Sequence, residues 1–144
     1  MLILLLIGML FSPINIKLAR NTWTGGTIYI RADGSIDPPD APIITHDNIT
    51  YTLIDNITSS GDGIIVQRDN IIIDGNGHTL KGPRHWPSKG ICLSERMNVT
   101  ITSTTVKNFH YGISLEFSSN INLIRNNVMN NSAGIYLYFS SHNV

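Results

Sequence analysis

The sequence predicts an all-β solenoid, a parallel β-helix of stacked coils, and three observations carry that prediction. A Gly-Ile step recurs at Gly63-Ile64, Gly90-Ile91, Gly112-Ile113 and Gly134-Ile135, and the last two intervals are equal. Aligned at that interval, column after column is aliphatic: Ile91 with Ile113 and Ile135, Leu93 with Leu115 and Leu137, Val99 with Ile121, Ile101 with Leu123, and Val106 with Val128. Asn, Ile, Thr, Ser and Gly are prominent, and no long run has helical periodicity, which favours strands and turns.

Taken in chain order, Leu2 to Phe11 form an apolar run ended by Ser12-Pro13. That run falls short of the roughly 20 residues needed to span a bilayer and suits the apolar region of a secretory signal, although no Lys or Arg precedes it. Residues 1–20 are therefore read as an export segment and 21–144 as one β-helix domain. Asn-x-Ser/Thr triplets at Asn48, Asn56, Asn98 and Asn130 fit a secreted chain. Asn98 is expected to point inward, where no glycan attaches.

The first coil, 27–62, reads as irregular. Thr27–Arg31 and Tyr51–Ile57 are its strands, and ADGSIDPPDAP between them is a turn-rich connection with three prolines. Regular coils begin at residue 63. GIIVQRDNIIIDGNGHTLKG supplies Ile64 and Val66, Ile71 and Ile73, then Leu80. The step from Gly63 to Gly90 is longer than the two that follow, so Gly82 to Lys89 bulges out as a loop. The Gly90 and Gly112 units align without gaps, and GIYLYFSSHNV begins another at Gly134. Each unit holds short period-2 strands with one aliphatic face, which only stacking on a like unit can bury. Asn98 and Asn120 share one column and Asn108 and Asn130 another, so both pairs are read as amide ladders between coils. The last unit stops where a strand should start, exposing an apolar end. The expectation is a fragment with further coils downstream, or end-to-end self-association through that open C-terminal coil.

The run IIIDGNGHTL, followed by units of the form GI-x-L-x-x-S-x-N-V-x-I, resembles the right-handed parallel β-helix superfamily with its pectin-lyase-like solenoids. Within it the chain resembles the NosD-like and carbohydrate-binding/sugar-hydrolase repeat proteins of prokaryotic cell surfaces. TIYIRADGSIDPPDAPI is similar to the opening of archaeal surface proteins of that group. The resemblance covers roughly Thr27 to Val144 and implies the fold far more than an activity, since the superfamily mixes lyases, hydrolases, adhesins, metal-handling proteins and scaffolds.

Formal net charge is zero and 14% of residues are charged, so a nucleic-acid partner is not expected. The single Cys92 excludes an internal disulfide framework. Glycoside hydrolysis needs two converging carboxylates. The candidates Asp62, Asp69, Asp74, Glu95 and Glu116 form no clustered pair in sequence, and Asp74 in DGNG is read as a turn former. Copper handling, prompted by the NosD resemblance, asks for converging His, Cys or Met. His46, His78, His85, His110, His142, Cys92, Met97 and Met129 are scattered, so no metal or other cofactor is expected. Carbohydrate contact has more support. Tyr136 and Tyr138 should share an outer face with Glu116 and Ser114, while the bulging loop offers Arg84, His85, Trp86 and Lys89. The competing expectation for Trp86 is a lid over the apolar side of the first coils.

The leading reading is a secreted or cell-surface scaffold that meets a polysaccharide or surface glycan through its outer faces, with no catalysis in this segment. It touches membrane only through the export segment. The rival is the N-terminal part of a polysaccharide lyase or hydrolase with catalytic coils beyond Val144; a NosD-like copper-handling protein is third.

Overall fold

A computed structural model describes residues 22–144; the expected export segment lies outside the described residues. In chain order the strands are β1 (Trp23–Gly25), β2 (Ile28–Ile30), β3 (Ile36–Asp37), β4 (Ile43–Ile44), β5 (Thr50–Leu53), β6 (Ile57–Ser59), β7 (Ile64–Val66) and β8 (Ile71–Asp74). They continue as β9 (Thr79–Lys81), β10 (Lys89–Ser94), β11 (Val99–Thr102), β12 (Thr105–Lys107), β13 (Tyr111–Glu116), β14 (Asn122–Ile124), β15 (Asn127–Met129) and β16 (Ala133–Tyr138). They form three sheets: A, ordered β1-β6-β9-β12-β15; B, ordered β16-β13-β10-β7-β2-β3; and C, ordered β14-β11-β8-β5-β4. Successive coils contribute one strand to each sheet, and their pairing is parallel. The chain is a parallel β-helix.

The aliphatic columns of the sequence are the registers of these sheets. Ile64, Ile91, Ile113 and Ile135 are consecutive partners in sheet B, as are Val66, Leu93, Leu115 and Leu137. Ile73, Ile101 and Leu123 stack in sheet C, and Leu80, Val106 and Val128 in sheet A. Most members of these columns are wholly buried. Burying one such side chain contributes about 1.5–3 kcal/mol, so the columns dominate over any surface pair. Ile135 and Leu137, in the outermost coil, are 50% and 55% exposed.

The Gly-Ile step has a steric cause. A Cβ on Gly63 would lie 2.3 Å from the Gly90 carbonyl oxygen, one on Gly90 2.3 Å from that of Gly112, and one on Gly112 2.5 Å from that of Gly134. The glycines form a column at a corner where each backbone meets the next, and any side chain there would push the coils apart.

Two findings depart from the sequence reading. The proline-rich connection holds β3 and β4, which pair antiparallel with β2 and β5. They cover the outer edges of sheets B and C, and Tyr51 ties the connection down by donating to the Gly34 carbonyl at 2.9 Å. The corners are the second. In the Gly90 coil Glu95, Asn98, Ser103 and Asn108 have positive φ, and one coil further on Phe117, Asn120, Arg125 and Asn130 repeat the pattern. Each of these coils turns on left-handed residues at the same stations.

The ladder residues sit at these corners. Asn98 points outward and is exposed, correcting the inward placement. Its Nδ2 donates to Asn70 Oδ1 at 2.9 Å, and Asn120 Nδ2 donates to Asn98 Oδ1 at 3.3 Å, so this ladder begins a coil earlier than the sequence indicated. Asn108 and Asn130 share a corner column, but among the described residues no amide bond joins them; their neighbour Asn131 links the coils instead. Asn131 accepts from the Phe109 N–H at 2.9 Å and donates to the Val106 carbonyl at 3.1 Å. Asn126 does the same for Thr104 and Ile101, and Ser118 for Arg96 and Leu93.

Candidate functional site

Sheet B has the longest strands and the outer face richest in chemistry. Inward residues alternate with outward ones, so Cys92, Ser114 and Tyr136 form one outward column and Ser94, Glu116 and Tyr138 the next. Lys89, Tyr111 and Ala133 open the three strands. Lys89 is thus the first residue of β10 and not part of the bulging loop, as the sequence reading had it.

The polar row is tightly bonded. Lys89 Nζ donates to Glu116 Oε1 at 2.5 Å, Ser114 Oγ donates to the same oxygen at 2.9 Å, and Ser114 is wholly buried. The hydrogen bond from Lys89 holds the Glu116 carboxyl below its ordinary value, with Ser114 adding to the effect against desolvation. Burial works against the Lys89 charge, but the bond to Glu116 and the field of Cys92, Glu116 and Asp62 outweigh it and raise its pKa. Burial pushes the Cys92 thiol up, against the pull of Lys89. Beside this row a depression of about 380 Å³ is lined by Ala32, Ile65, Gln67, Cys92, Ser94 and Arg96.

Above the polar row lies an aromatic strip. Tyr111 and Tyr136 have ring centroids 4.6 Å apart, and Tyr136 and Tyr138 lie parallel at 6.4 Å. Tyr138 then meets Phe139 edge-on at 4.6 Å, and Phe139 stacks on Phe117 at 5.5 Å. The structure brings Tyr136, Tyr138 and Glu116 together on this face. Tyr111 was missed, although it holds the position before the Gly-Ile step that Lys89 holds one coil earlier. Phe117 and Phe139 were missed because they occupy left-handed corners, where no propensity predicts an aromatic.

The loop residues take another station. Arg84, His85 and Trp86 lie in the 82–88 excursion between β9 and β10, at the corner where sheet B begins. The Arg84 N–H donates to the Asn108 carbonyl at 2.7 Å, and Ser88 closes a turn on the His85 carbonyl with Oγ at 2.6 Å. Trp86 is 74% exposed. It covers no core, which corrects the lid expectation. Phe109 fills that place, wholly buried against Gly82 and Gly90.

The carboxylates are individually committed. Asp62 accepts from the Lys89 N–H at 2.7 Å, Asp69 from the Met97 N–H at 3.1 Å, and Asp74 from the Asn76 N–H at 2.9 Å as a turn former. Glu116 is ion-paired and Glu95 is exposed at a corner. A glycosidic acid needs a carboxyl kept protonated near neutral pH, and Glu116 is held the opposite way. The face can stack on flat apolar surfaces and exchange hydrogen bonds with hydroxyls.

A family model described as periplasmic copper-binding protein (NosD) matches residues 19–144. That description is of a periplasmic family, in accord with an extracytoplasmic location. No curated protein and no solved structure gives a match.

Proposed function

The chain belongs to the NosD family, and from that premise we propose that it is an extracytoplasmic β-helix scaffold that contacts carbohydrate through the outer face of sheet B. The observation that carries this reading is the aromatic strip lying in register with the Lys89–Glu116–Ser114 row. Aromatic faces take the apolar side of a pyranose ring, and the partly exposed Lys89 ammonium and Glu116 carboxylate offer donors and acceptors to its hydroxyls. From β2 to β16 the face covers four inter-coil steps of about 4.8 Å, roughly 19 Å, long enough for a short oligosaccharide along the helix axis. Trp86, Arg84 and His85 flank one side of that track.

Copper fits the described residues poorly. Among them no three His, Cys, Asp or Glu side chains come together, and burial keeps the Cys92 thiol protonated, a poor soft ligand. Residues 1–21 add no His or Cys. Met97 lies at the corner before β11 in sheet C, and Met129 ends β15 in sheet A.

The test is binding of cellohexaose, chitohexaose and hexagalacturonate by calorimetry. One of them should bind, and the double substitution Tyr136→Ala/Tyr138→Ala should weaken it roughly tenfold, about 1.4 kcal/mol. Binding by none of the three, or an unchanged affinity in the double variant, would sink the reading.

A further inference from the structure

The outer face of sheet A carries a feature that the carbohydrate reading does not use. Thr24, Thr58, Lys81 and Lys107 form one column of register partners running across β1, β6, β9 and β12. Leu80 and Val106 beside them point inward and are wholly buried, so the two lysines point out on the same side. Lys81 and Lys107 are therefore direct cross-strand neighbours on strands about 4.8 Å apart. Like charges placed directly opposite in a sheet repel and destabilise it.

Nothing described neutralises them. The ion pairs among the described residues are Arg31–Asp37, Lys89–Glu116 and Arg96–Asp69, and neither lysine belongs to one. Residues 1–21, which run into Thr22 at the edge of this face, contain Lys17 and Arg20 and no Asp or Glu. A depression of about 250 Å³ lies against the pair, lined also by Thr22, Asn56, Thr58 and Thr79. Its lining is rich in donors: Asn56 Oδ1 is occupied by the Thr79 N–H at 2.8 Å, which leaves the Asn56 amide nitrogen with hydrogens to give.

We propose that Lys81 and Lys107 hold an oxyanion between them in this depression, with the Asn56 amide and the Thr58 hydroxyl as further donors. The shared chemistry is that of sulfate, phosphate or a sugar carboxylate: several acceptor oxygens and a negative charge set between two ammonium groups that have donors and no acceptor. An anion in this position converts the cross-strand repulsion into two charge-assisted contacts. The site stands on its own sheet and its own lining, independent of the aromatic strip.

The experiment titrates the protein with sodium sulfate against sodium chloride at matched ionic strength, following backbone amides by NMR. Sulfate should shift Thr58, Thr79, Lys81 and Lys107 with a Kd on the order of 1 mM. Lys107→Met and Lys81→Met should each weaken it about tenfold. Each variant alone should also unfold at higher temperature than the parent in low salt, because one half of the repulsion is gone; a merely structural lysine would give the opposite sign. A parallel titration with hexagalacturonate distinguishes the sources: tighter binding than sulfate at the same amides assigns a sugar acid, and weaker binding assigns a free inorganic oxyanion. Shifts equal in chloride and sulfate, or unchanged in both variants, overturn the proposal. Loss of oligosaccharide binding at the sheet B tyrosines leaves these sheet A shifts unaffected, so the two readings fail separately.

Discussion

Glu116 is fixed from two sides, by the Lys89 ammonium and by the Ser114 hydroxyl, and both side chains of the ion pair are 24% exposed. The two partners shift in opposite directions, and each sets one edge of a pH window. Glu116 is held below its ordinary 4.5, so its contribution is full above that value and is lost as pH falls through the lowered one. Lys89 is raised above 10.5, so its contribution is full below that value and disappears as pH rises through the raised one. The pair's own contribution, read as the difference in urea midpoint between the parent and Glu116→Gln at each pH, should be flat between those edges. Glu116→Gln should cost about 0.5–1 kcal/mol at neutral pH and remove part of the acid-side slope. A variant with an undiminished acid slope would show the pair to be uncoupled. Glu116 was legible as a face residue because its column is set by the repeat interval. Its partner was not, because Lys89 stands at the junction of loop and strand, where no pattern marks the boundary.

At the level of the coil, strand identity was written in the aliphatic spacing, and corner geometry was not. Asn98, Asn108, Asn120 and Asn130 are residues that tolerate left-handed backbone, but Glu95, Phe117 and Arg125 occupy equivalent corners at a cost of roughly 1–2 kcal/mol each. Cross-coil bonding offsets such costs. Asn131→Ala would strip the Phe109 N–H of its acceptor and remove one of the contacts on the Val106 carbonyl, and a buried backbone donor left bare should cost about 1–3 kcal/mol. Chemical denaturation checks it, with Asn130→Ala as the comparison. Comparable losses in both variants would mean that the corner backbone, and not the bridging amide, holds the coils. Reading Asn130 instead of Asn131 as the linking residue was natural from sequence, since adjacent asparagines differ only in which way the backbone turns them.

For the molecule as a whole, stacking makes stability a matter of neighbours. Strands β7, β10, β13, β8 and β11 are paired on both sides, whereas β1, β14, β15 and β16 have a partner on one side among the described residues. Amide exchange in this chain should therefore be slowest in the doubly paired group and fastest in the singly paired one. Uniform protection across all of them would contradict a nearest-neighbour solenoid. The number and parallel order of the coils could be read from the sequence, because each coil repeats the same apolar positions. The antiparallel cover formed by β3 and β4 could not, because Ile36 and the Ile43-Ile44 pair stand beside prolines and turn residues without an alternating pattern.

The corner between β9 and β10 lets the chain change length without changing pitch. The coil from Gly63 to Gly90 is longer than the coil from Gly90 to Gly112, yet Ile64, Ile91 and Ile113 remain partners in a single ladder. Most of the extra length is spooled out sideways in the 82–88 excursion, and the strands on either side do not register it. That corner is a socket. Sequence can be added, removed or exchanged there while the glycine column keeps the coils at their spacing, so the residues at the Trp86 tip can diversify independently of the framework that carries them.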